Sequence, residues 1–368
     1  MSDLTPHVRR ARAAELGRDP AVTEQAIQRR TTISPGAEPV LTLGELAVRT
    51  GAPLDYLRAV VGRGRDPYLG ISRPKRNGTT RPIASPEPVL KDVQRWILDR
   101  ILGAPAQHLN SWAYQSGKSV VECARQHRGA RWLIKLDVHD FFGSVDDRRV
   151  FTVFASLGYP RLLSFELARL CTRQPIATRG WRSESYPYRS RPRAFLPQGA
   201  PTSGALANIA MTPTDAVIAR IASKHALTYS RYSDDLVLSS AAAFSRREAT
   251  ATIAEVAEAL ARSGFAVHKK KTVIAPPGAR KVVLGLLVRD DGVYLTPEFR
   301  RRIETHLRGV AKFGVVAHTE HRNFRSAFMM IEHVYGCIAF AEAVEPTFGA
   351  WAKAEWTAVI ADDGYPAA

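Results

Sequence analysis

Two patterns of hydrophobic residues recur along the chain: a helical spacing of three and four residues, and the short continuous apolar runs typical of buried strands. Helical spacing predicts helices within residues 41–62 and 89–101, and from Leu295 to the end; the basic, polar residues 1–40 are expected to form an N-terminal helix and a linker. The core expected for the C-terminal helices consists of Phe324, Phe328, Ile331, Val334, Tyr335, Ile338, Phe340, Trp351 and Trp356. The end of the chain is therefore predicted to be a helical subdomain.

Short apolar runs in the middle of the chain predict strands. Residues 132–136 form one such run, and residues 227–229 and 236–238 flank the polar segment Tyr232-Ser233-Asp234-Asp235 as two strands flank a turn. Asn77-Gly78 is the strongest short signal for a hairpin. Ser119 begins a capping box, whose helix is expected to place Cys123 and His127 on one face. A packed or surface position is favoured for this histidine over a catalytic role.

The chain is strongly basic. Its 368 residues include 52 Lys and Arg against 35 Asp and Glu, a net charge of +17. Residues 173–193 carry six Arg and one acidic residue with three interleaved aromatics, and residues 262–281 carry six basic residues and no acidic one. Such clusters are typical of proteins that bind phosphates and stack on unpaired bases. A generally basic proteome is the alternative explanation of the net charge.

The sequence shows few signs of disulfide bonds, a zinc site, secretion or a membrane partner. Cys123, Cys171 and Cys337 are too widely spaced to suggest a disulfide framework or a zinc site. We expect a cytoplasmic protein with no membrane partner, because no uninterrupted run of 18 apolar residues and no signal peptide is present.

Acidic pairs are candidates for metal binding, although most of them are ordinary turns. Asp146-Asp147, Asp290-Asp291 and Asp362-Asp363 show that an Asp-Asp pair alone means little. Asp234-Asp235 differs because Asp137 ends another apolar strand and an aromatic residue, Phe142, follows five positions later. Two such strand ends together could hold two Mg²⁺ ions, which favour oxygen ligands. A solvated turn and a helix cap remain the alternatives for Asp234-Asp235 and for Asp137.

An ordered series of motifs resembles the bacterial reverse transcriptases of the retron and defence-associated type. The matching segments are Ser72–Ile83, Ala113–Ser119, Lys135–Phe142, Leu196–Ser203, Tyr232–Asp235, Gly264–Thr272 and Val283–Gly285. The resemblance covers roughly residues 65–360. It implies an α+β right-hand polymerase fold with fingers, a palm whose antiparallel sheet packs on helices, and a helical thumb. The expected divisions are an N-terminal extension (1–62), fingers (63–131), palm (132–290, with a fingers insertion at about 160–197) and thumb (291–368).

The resemblance also implies roles for individual residues. Asp137, Asp234 and Asp235 are the expected catalytic residues, and with Val138 they would hold two Mg²⁺, for which Mn²⁺ is an alternative. Phe142 would exclude ribonucleotides by packing under the dNTP sugar. The other expected dNTP-binding residues are Lys75, Arg81, Gln198, Gly199 and Lys271; Leu284 and Gly285 would form the primer grip. The basic clusters supply the expected nucleic-acid-binding residues Arg173, Arg179, Arg182, Arg189, Arg191, Arg193, Lys269 and Lys270.

Two departures from the family pattern bear on the RNA partner, because both signatures are linked in that family to recognition of the retron's own structured RNA. Retron enzymes commonly carry Asn-Ala-x-x-His where this chain has Cys123-Ala124-Arg125-Gln126-His127, and Val-Thr-Gly where it has Val283-Leu284-Gly285. We expect an RNA-directed DNA polymerase that copies a structured noncoding RNA, used as template and also as primer, into cDNA in antiphage defence, with a separate effector protein. A mobile-element enzyme of the group II intron kind and a catalytically inactive RNA-binding scaffold are the alternatives. The sequence does not indicate the oligomeric state.

Overall fold

The structure, a computed structural model, describes residues 5–74, 80–103, 107–174 and 193–365, and for Pro74 and Arg81 the backbone alone. Several predicted features lie outside these residues: the hairpin tip at Asn77-Gly78 and the candidate site residues Lys75, Arg179, Arg182, Arg189 and Arg191.

Helices and short strands alternate along the described residues. The helices are α1 (Pro6–Glu15), α2 (Pro20–Thr31), α3 (Leu43–Thr50), α4 (Leu54–Val61), α5 (Pro88–Ile97), α6 (Val120–Arg125), α7 (Asp147–Ser156), α8 (Arg161–Cys171), α9 (Ser203–Lys224), α10 (Arg246–Arg262), α11 (Pro297–His321), α12 (Ala327–Val344) and α13 (Pro346–Asp362). The strands are β1 (Tyr68–Pro74), β2 (Thr80–Pro86), β3 (Trp132–His139), β4 (Thr228–Tyr232), β5 (Asp235–Ser240), β6 (Ala266–Val267), β7 (Val273–Ala275), β8 (Lys281–Val283), β9 (Leu286–Val288) and β10 (Val293–Leu295). The α+β fold class is confirmed.

The chain divides into two compact units. The first contains Met1–Ser116, Val138–Arg220 and Val256–His268; the second contains Gly117–Asp137, Ile221–Glu255 and Lys269–Ala368. The boundary falls inside β3, directly after Asp137. The four-part division expected from the sequence follows different boundaries and stays a prediction.

Helices α3, α4, α5 and α8 build the core of the first unit. Helix α5 packs against α3 and α8, and α4 packs against α8. Their apolar faces bury Leu46, Leu57 and Leu90 completely, as the helical spacing predicts. The buried amide of Gln94 donates to the Tyr68 hydroxyl and to the Leu170 carbonyl, both at 2.8 Å. This polar contact links the first strand of the β1–β2 hairpin to α8.

An antiparallel sheet runs through the second unit, in the order β4, β5, β3, β7. Strand β5 pairs with β3 from Trp132↔Ser240 to Asp137↔Asp235. Helix α6 begins at the predicted cap, where Ser119 Oγ accepts from the Glu122 N–H at 3.0 Å, and packs against β4. The last two residues of β3, Val138 and His139, lie in the first unit and pair with β6.

The C-terminal helices α11, α12 and α13 form a bundle with one continuous hydrophobic core. Ile331, Val334, Ile338 and Trp356 are buried in it, as predicted. The expectation for Phe328 and Trp351 is wrong, because their side chains are 70% and 45% exposed. Helix α12 is apolar over almost its entire circumference, so its spacing does not distinguish the buried face from the exposed one.

One helix of the described residues is long and apolar enough to cross a membrane. This helix is α12, Ala327–Val344. Seven of its side chains, from Met330 to Val344, are buried in the C-terminal core, and the core helix of a water-soluble domain passes the same test.

Candidate active site

Three carboxylates meet at one end of the β3–β5 ladder. Asp137 and Asp235 are directly opposite each other in the antiparallel register, so their side chains project from the same face of the sheet, with Cβ atoms about 4.5–5.5 Å apart. Asp234 is the second of the two residues that join β4 to β5. The structure therefore brings together the three aspartates that the sequence predicts.

The electrostatics of this cluster disfavour a fully ionised state. Burial raises the pKa of Asp235, and the neighbouring charges of Asp234 and Asp137 raise it further, while Lys135 and Lys271 partly oppose them. Asp137 is 8% exposed, and its Oδ2 accepts a hydrogen bond from Lys271 Nζ at 2.8 Å. Lys271 was expected to approach substrate phosphates. In the structure its ammonium neutralises part of the carboxylate charge, and its contact with a dNTP stays a prediction.

The donor chemistry of the cluster fits a divalent cation. Neighbouring ionised carboxylates repel each other, and a cation that binds between them relieves this repulsion. Within the described residues, no three His, Cys, Asp or Glu side chains converge closely enough to enclose a metal by themselves. Mg²⁺ is commonly held by one or two carboxylates and completes its shell with water and substrate phosphates. Asp137, Asp234 and Asp235 are the side chains that would hold it.

The turn that carries Asp234 is held by a buried arginine that sequence reasoning missed. Ser233 has a positive φ of 58°, a region that non-glycine residues seldom occupy. Its carbonyl oxygen accepts a hydrogen bond from Arg231 Nη1 at 3.0 Å. The Arg231 side chain is completely buried, and a buried guanidinium is retained where its hydrogen bonds are satisfied. The only signal in the sequence is a charged residue within an apolar strand.

Phe142 lies in the first unit, in an aromatic cluster. Its ring is half-buried, with its centroid 6.3 Å from that of Tyr114 and 5.6 Å from that of Phe141. Phe141 is buried, as expected for a core residue. Tyr114 in turn lies against Gly204, where an added Cβ would come within 2.5 Å of the ring. Phe142, the residue predicted to exclude ribonucleotides, therefore packs against other aromatic rings of the first unit.

The Gln198-Gly199 loop is attached to the β1–β2 hairpin. The Gln198 carbonyl accepts from the Ala84 N–H at 2.8 Å. Gly199 has a φ of +117°, and an added Cβ would lie 2.6 Å from Ile83 Cγ2 and 3.0 Å from the Ala84 oxygen. A glycine is therefore required at this position because the β1–β2 hairpin lies so close to it. The predicted role of Gly199 in dNTP binding stays a prediction.

Leu284 and Gly285 form the two-residue turn between β8 and β9, closed by the pair Val283↔Leu286. Both have positive φ, 49° and 82°, the combination required by a type I′ hairpin turn. The leucine is unusual in this position, and its side chain packs against the hydrophobic core of the second unit. The predicted primer grip is therefore the tip of a tight hairpin.

Of the predicted nucleic-acid contacts, the described arginines already have protein partners. Arg173 forms an ion pair with Asp66 at 2.7 Å, and Arg193 forms one with Asp146 at 2.7 Å. Lys269 and Lys270 are exposed on a 3₁₀ turn next to Lys271. Val138, the fourth predicted metal-site residue, is buried. It is the first residue of β3 that belongs to the first unit, and it pairs with β6.

Comparison with known proteins agrees with this geometry. The family model for reverse transcriptase (RNA-dependent DNA polymerase) matches residues 73–287. The chain belongs to this family. The retron Ec86 reverse transcriptase of Escherichia coli is 30% identical over 265 residues, which cover 72% of this chain and 72% of that protein. The resemblance to retron-type reverse transcriptases and the right-hand polymerase fold class are thereby confirmed.

Two relatives from Myxococcus xanthus are longer than the region they share with this chain. The retron Mx162 enzyme is 34% identical over 232 residues, covering 61% of this chain and 48% of that protein. The retron Mx65 enzyme is 33% identical over 258 residues, covering 69% of this chain and 58% of that protein. The chain thus spans about half the length of the first relative.

Proposed function

We propose that this chain is an RNA-directed DNA polymerase that copies a bound, locus-encoded structured noncoding RNA into cDNA from dNTPs. The observation that carries the proposal is the facing pair Asp137 and Asp235 with Asp234 at the adjoining turn, in a chain of the reverse transcriptase family. Three mutually repelling carboxylates destabilise a protein that never binds a cation. The arrangement therefore favours a polymerase over an inactive RNA-binding scaffold.

Two Mg²⁺ ions, with Mn²⁺ as a substitute, would supply charge stabilisation at the attacking and leaving oxygens. The chain's own residues provide the rest. Lys271 holds Asp137 in place, Phe142 excludes a 2′-hydroxyl, and the basic segments bind phosphates. The net charge of +17 supports an RNA partner. An antiphage role, an effector protein and a cytoplasmic location belong to the proposal through the resemblance to retron enzymes.

Removing one metal-binding carboxylate tests the catalytic part. We expect Asp137→Asn or Asp234→Asn to lower primer extension on poly(rA)·oligo(dT) by at least about 10³-fold, because charge stabilisation is the largest catalytic contribution. Filter binding of the same template–primer should stay within about twofold, since the basic surfaces are unchanged. Asp290→Asn, in the exposed pair of a hairpin turn, is the matched control. Near wild-type extension by either active-site variant would contradict the assignment.

Expression with the flanking genomic DNA tests the RNA part. Sequencing of the RNA and DNA that copurify should yield one locus-encoded RNA, reverse transcribed over a defined stretch. Binding through six to ten phosphates should weaken by roughly 10³–10⁵ between 50 and 200 mM salt. A random population of cellular RNA would overturn this part and favour a general or mobile-element polymerase.

A further inference from the structure

A buried histidine connects both strands of the hairpin that carries Asp234 and Asp235. His127 Nε2 lies 2.7 Å from Ser230 Oγ on β4, and Nδ1 lies 2.8 Å from Ser239 Oγ on β5. Ser230 precedes Asp234 by four residues, and Ser239 follows Asp235 by four. The imidazole therefore bridges the two strands diagonally, since Ser230 is paired with Val237 and Ser239 with Thr228.

We propose that His127 is a positioning residue, which fixes the two strands of the catalytic hairpin relative to each other and so sets the geometry of its carboxylates. This inference rests on the polymerase function proposed above. It assigns to His127 a role inside the palm sheet and no contact with RNA.

The sheet register supports the proposal. Ser230 is paired with Val237, and Ser239 is two residues further along β5, so both hydroxyls project from the face that also carries Asp235. A sliding movement of β4 along β5 would distort the two-residue turn between them and so change the orientation of the Asp234 side chain relative to Asp235. The histidine opposes such movement because it bonds to both strands at once. Apolar packing alone restrains sliding less, since it lacks direction.

Burial excludes His127 from a surface contact. Its side chain is 1% exposed, and those of Cys123, Ser230 and Ser239 are 1%, 0% and 5% exposed. Both ring nitrogens are already used by the serines, so no hydrogen-bonding atom of the ring remains for a partner molecule. In this chain the residues that match the family's RNA-recognition signature therefore point into the protein.

The protonation state is consistent with a structural bridge. Burial lowers the pKa of His127 to about 4, so the ring is neutral at physiological pH and has one donor and one acceptor nitrogen. Cys123 Sγ donates to Ser230 Oγ at 3.5 Å. All groups are satisfied when the Ser230 hydroxyl donates to Nε2 and the Nδ1–H donates to Ser239. Positions 123 and 127 of the signature thus converge on one hydroxyl of β4.

Three substitutions separate the two bonds. His127→Asn keeps a polar group near the position of Nδ1 and so retains the hydrogen bond to β5. His127→Gln keeps a polar group near the position of Nε2 and so retains the hydrogen bond to β4. His127→Ala removes both hydrogen bonds. We expect His127→Ala to lower kcat for dTTP incorporation on poly(rA)·oligo(dT) by about 10–100-fold, the effect of a displacement of about 1 Å in the active site. The single-bond variants should fall between it and the wild type. The KM for dTTP and the affinity for template–primer should change by less than about twofold.

Controls distinguish positioning from general destabilisation. His306→Asn removes another buried imidazole of the second unit, on α11, and should lower Tm with kcat unchanged at temperatures where the protein is folded. The Mg²⁺-dependent rise in Tm is a readout independent of turnover, and it should shrink in the same order as kcat. If His127→Ala does not fold, the Asn and Gln variants provide the test.

The outcomes separate the two proposals. Absence of primer extension by the wild type would overturn the polymerase function, while the Mg²⁺-dependent shift in Tm would still test the positioning role. Weaker RNA binding with unchanged kcat would overturn that role and assign His127 to RNA recognition. Unchanged kcat in folded variants, or a loss of kcat equal to that of His306→Asn, would overturn it as well.

Discussion

Asp235→Asn should stabilise the metal-free protein while it abolishes polymerisation. The folded protein holds Asp235 partly buried beside two other carboxylates, which raises the pKa of this group. Ionising it therefore costs more in the folded state than in the unfolded state. Asparagine has nearly the same shape without the charge, so the substitution removes this cost together with a proposed metal ligand.

The magnitude follows from the charges around Asp235. Two like charges about 6 Å apart repel by about 3 kcal/mol at an effective dielectric constant of about 20. Lys135 and Lys271 offset part of this repulsion, which leaves a gain of about 1–2 kcal/mol. With an unfolding entropy of about 2.1 cal/mol/K per residue, 1 kcal/mol shifts the Tm of this 368-residue chain by about 1.3 °C, so Tm in EDTA should rise by roughly 1–3 °C.

The effect has a defined pH dependence. A carboxyl group with a raised folded-state pKa contributes stability below its unfolded pKa, and this contribution is lost as pH rises through the folded pKa. The difference in Tm between Asp235→Asn and wild type should therefore be near zero at about pH 4 and largest at neutral pH. Mg²⁺ should reverse the order, because a ligand that binds only the folded wild type stabilises it.

Thermal unfolding in EDTA and in Mg²⁺, across a pH series, measures all of these effects. Asp290→Asn removes a charge from an exposed pair in the turn before β10 and should change Tm by less than about 1 °C under every condition. A lower Tm for Asp235→Asn in EDTA at neutral pH would refute the reasoning. An equal Mg²⁺-dependent shift in the variant and the wild type would exclude Asp235 as a metal ligand.

Two further substitutions test the first unit. Phe142→Ala should admit ribonucleotides while substantial dNTP incorporation remains; competition between dGTP and rGTP measures this, and unchanged discrimination would make Phe142 a core residue only. Gly199→Ala should destabilise the protein by about 1–3 kcal/mol, because the new Cβ would collide with Ile83 and the backbone of Ala84 at a φ unfavourable for alanine. A thermal unfolding curve like that of the wild type would contradict this.

Local patterns were enough to predict the elements that carry the site. The mostly apolar run 132–136 and the two runs flanking Asp234-Asp235 were enough to predict three strands, although the first strand continues past Asp137 to His139. The capping box at Ser119 predicted the start of α6 for the same reason. The exposed faces of α12 and α13 could not be predicted, since both faces of these helices carry apolar residues such as Phe328 and Trp351.

Contacts distant in sequence could not be predicted from spacing. Lys269, Lys270 and Lys271 are three adjacent lysines in one 3₁₀ turn. Of the three, it is Lys271 that forms the ion pair with Asp137. Arg231 lies within a strand whose other residues gave no reason to expect a buried charge. In both cases the partner is selected by tertiary structure, which no local pattern encodes.

A motif shared with a family identifies positions more reliably than it identifies their physical task. Cys123 and His127 occupy the places of a signature linked in retron enzymes to RNA recognition, yet both side chains are buried and contact Ser230. Asparagine at position 123 could donate an N–H to the same hydroxyl that the thiol of Cys123 reaches. The replacement of asparagine by cysteine at position 123 therefore changes the group that donates a hydrogen bond to Ser230 in the protein interior. It carries no evidence that this chain binds a different kind of RNA, and that question depends on the basic segments.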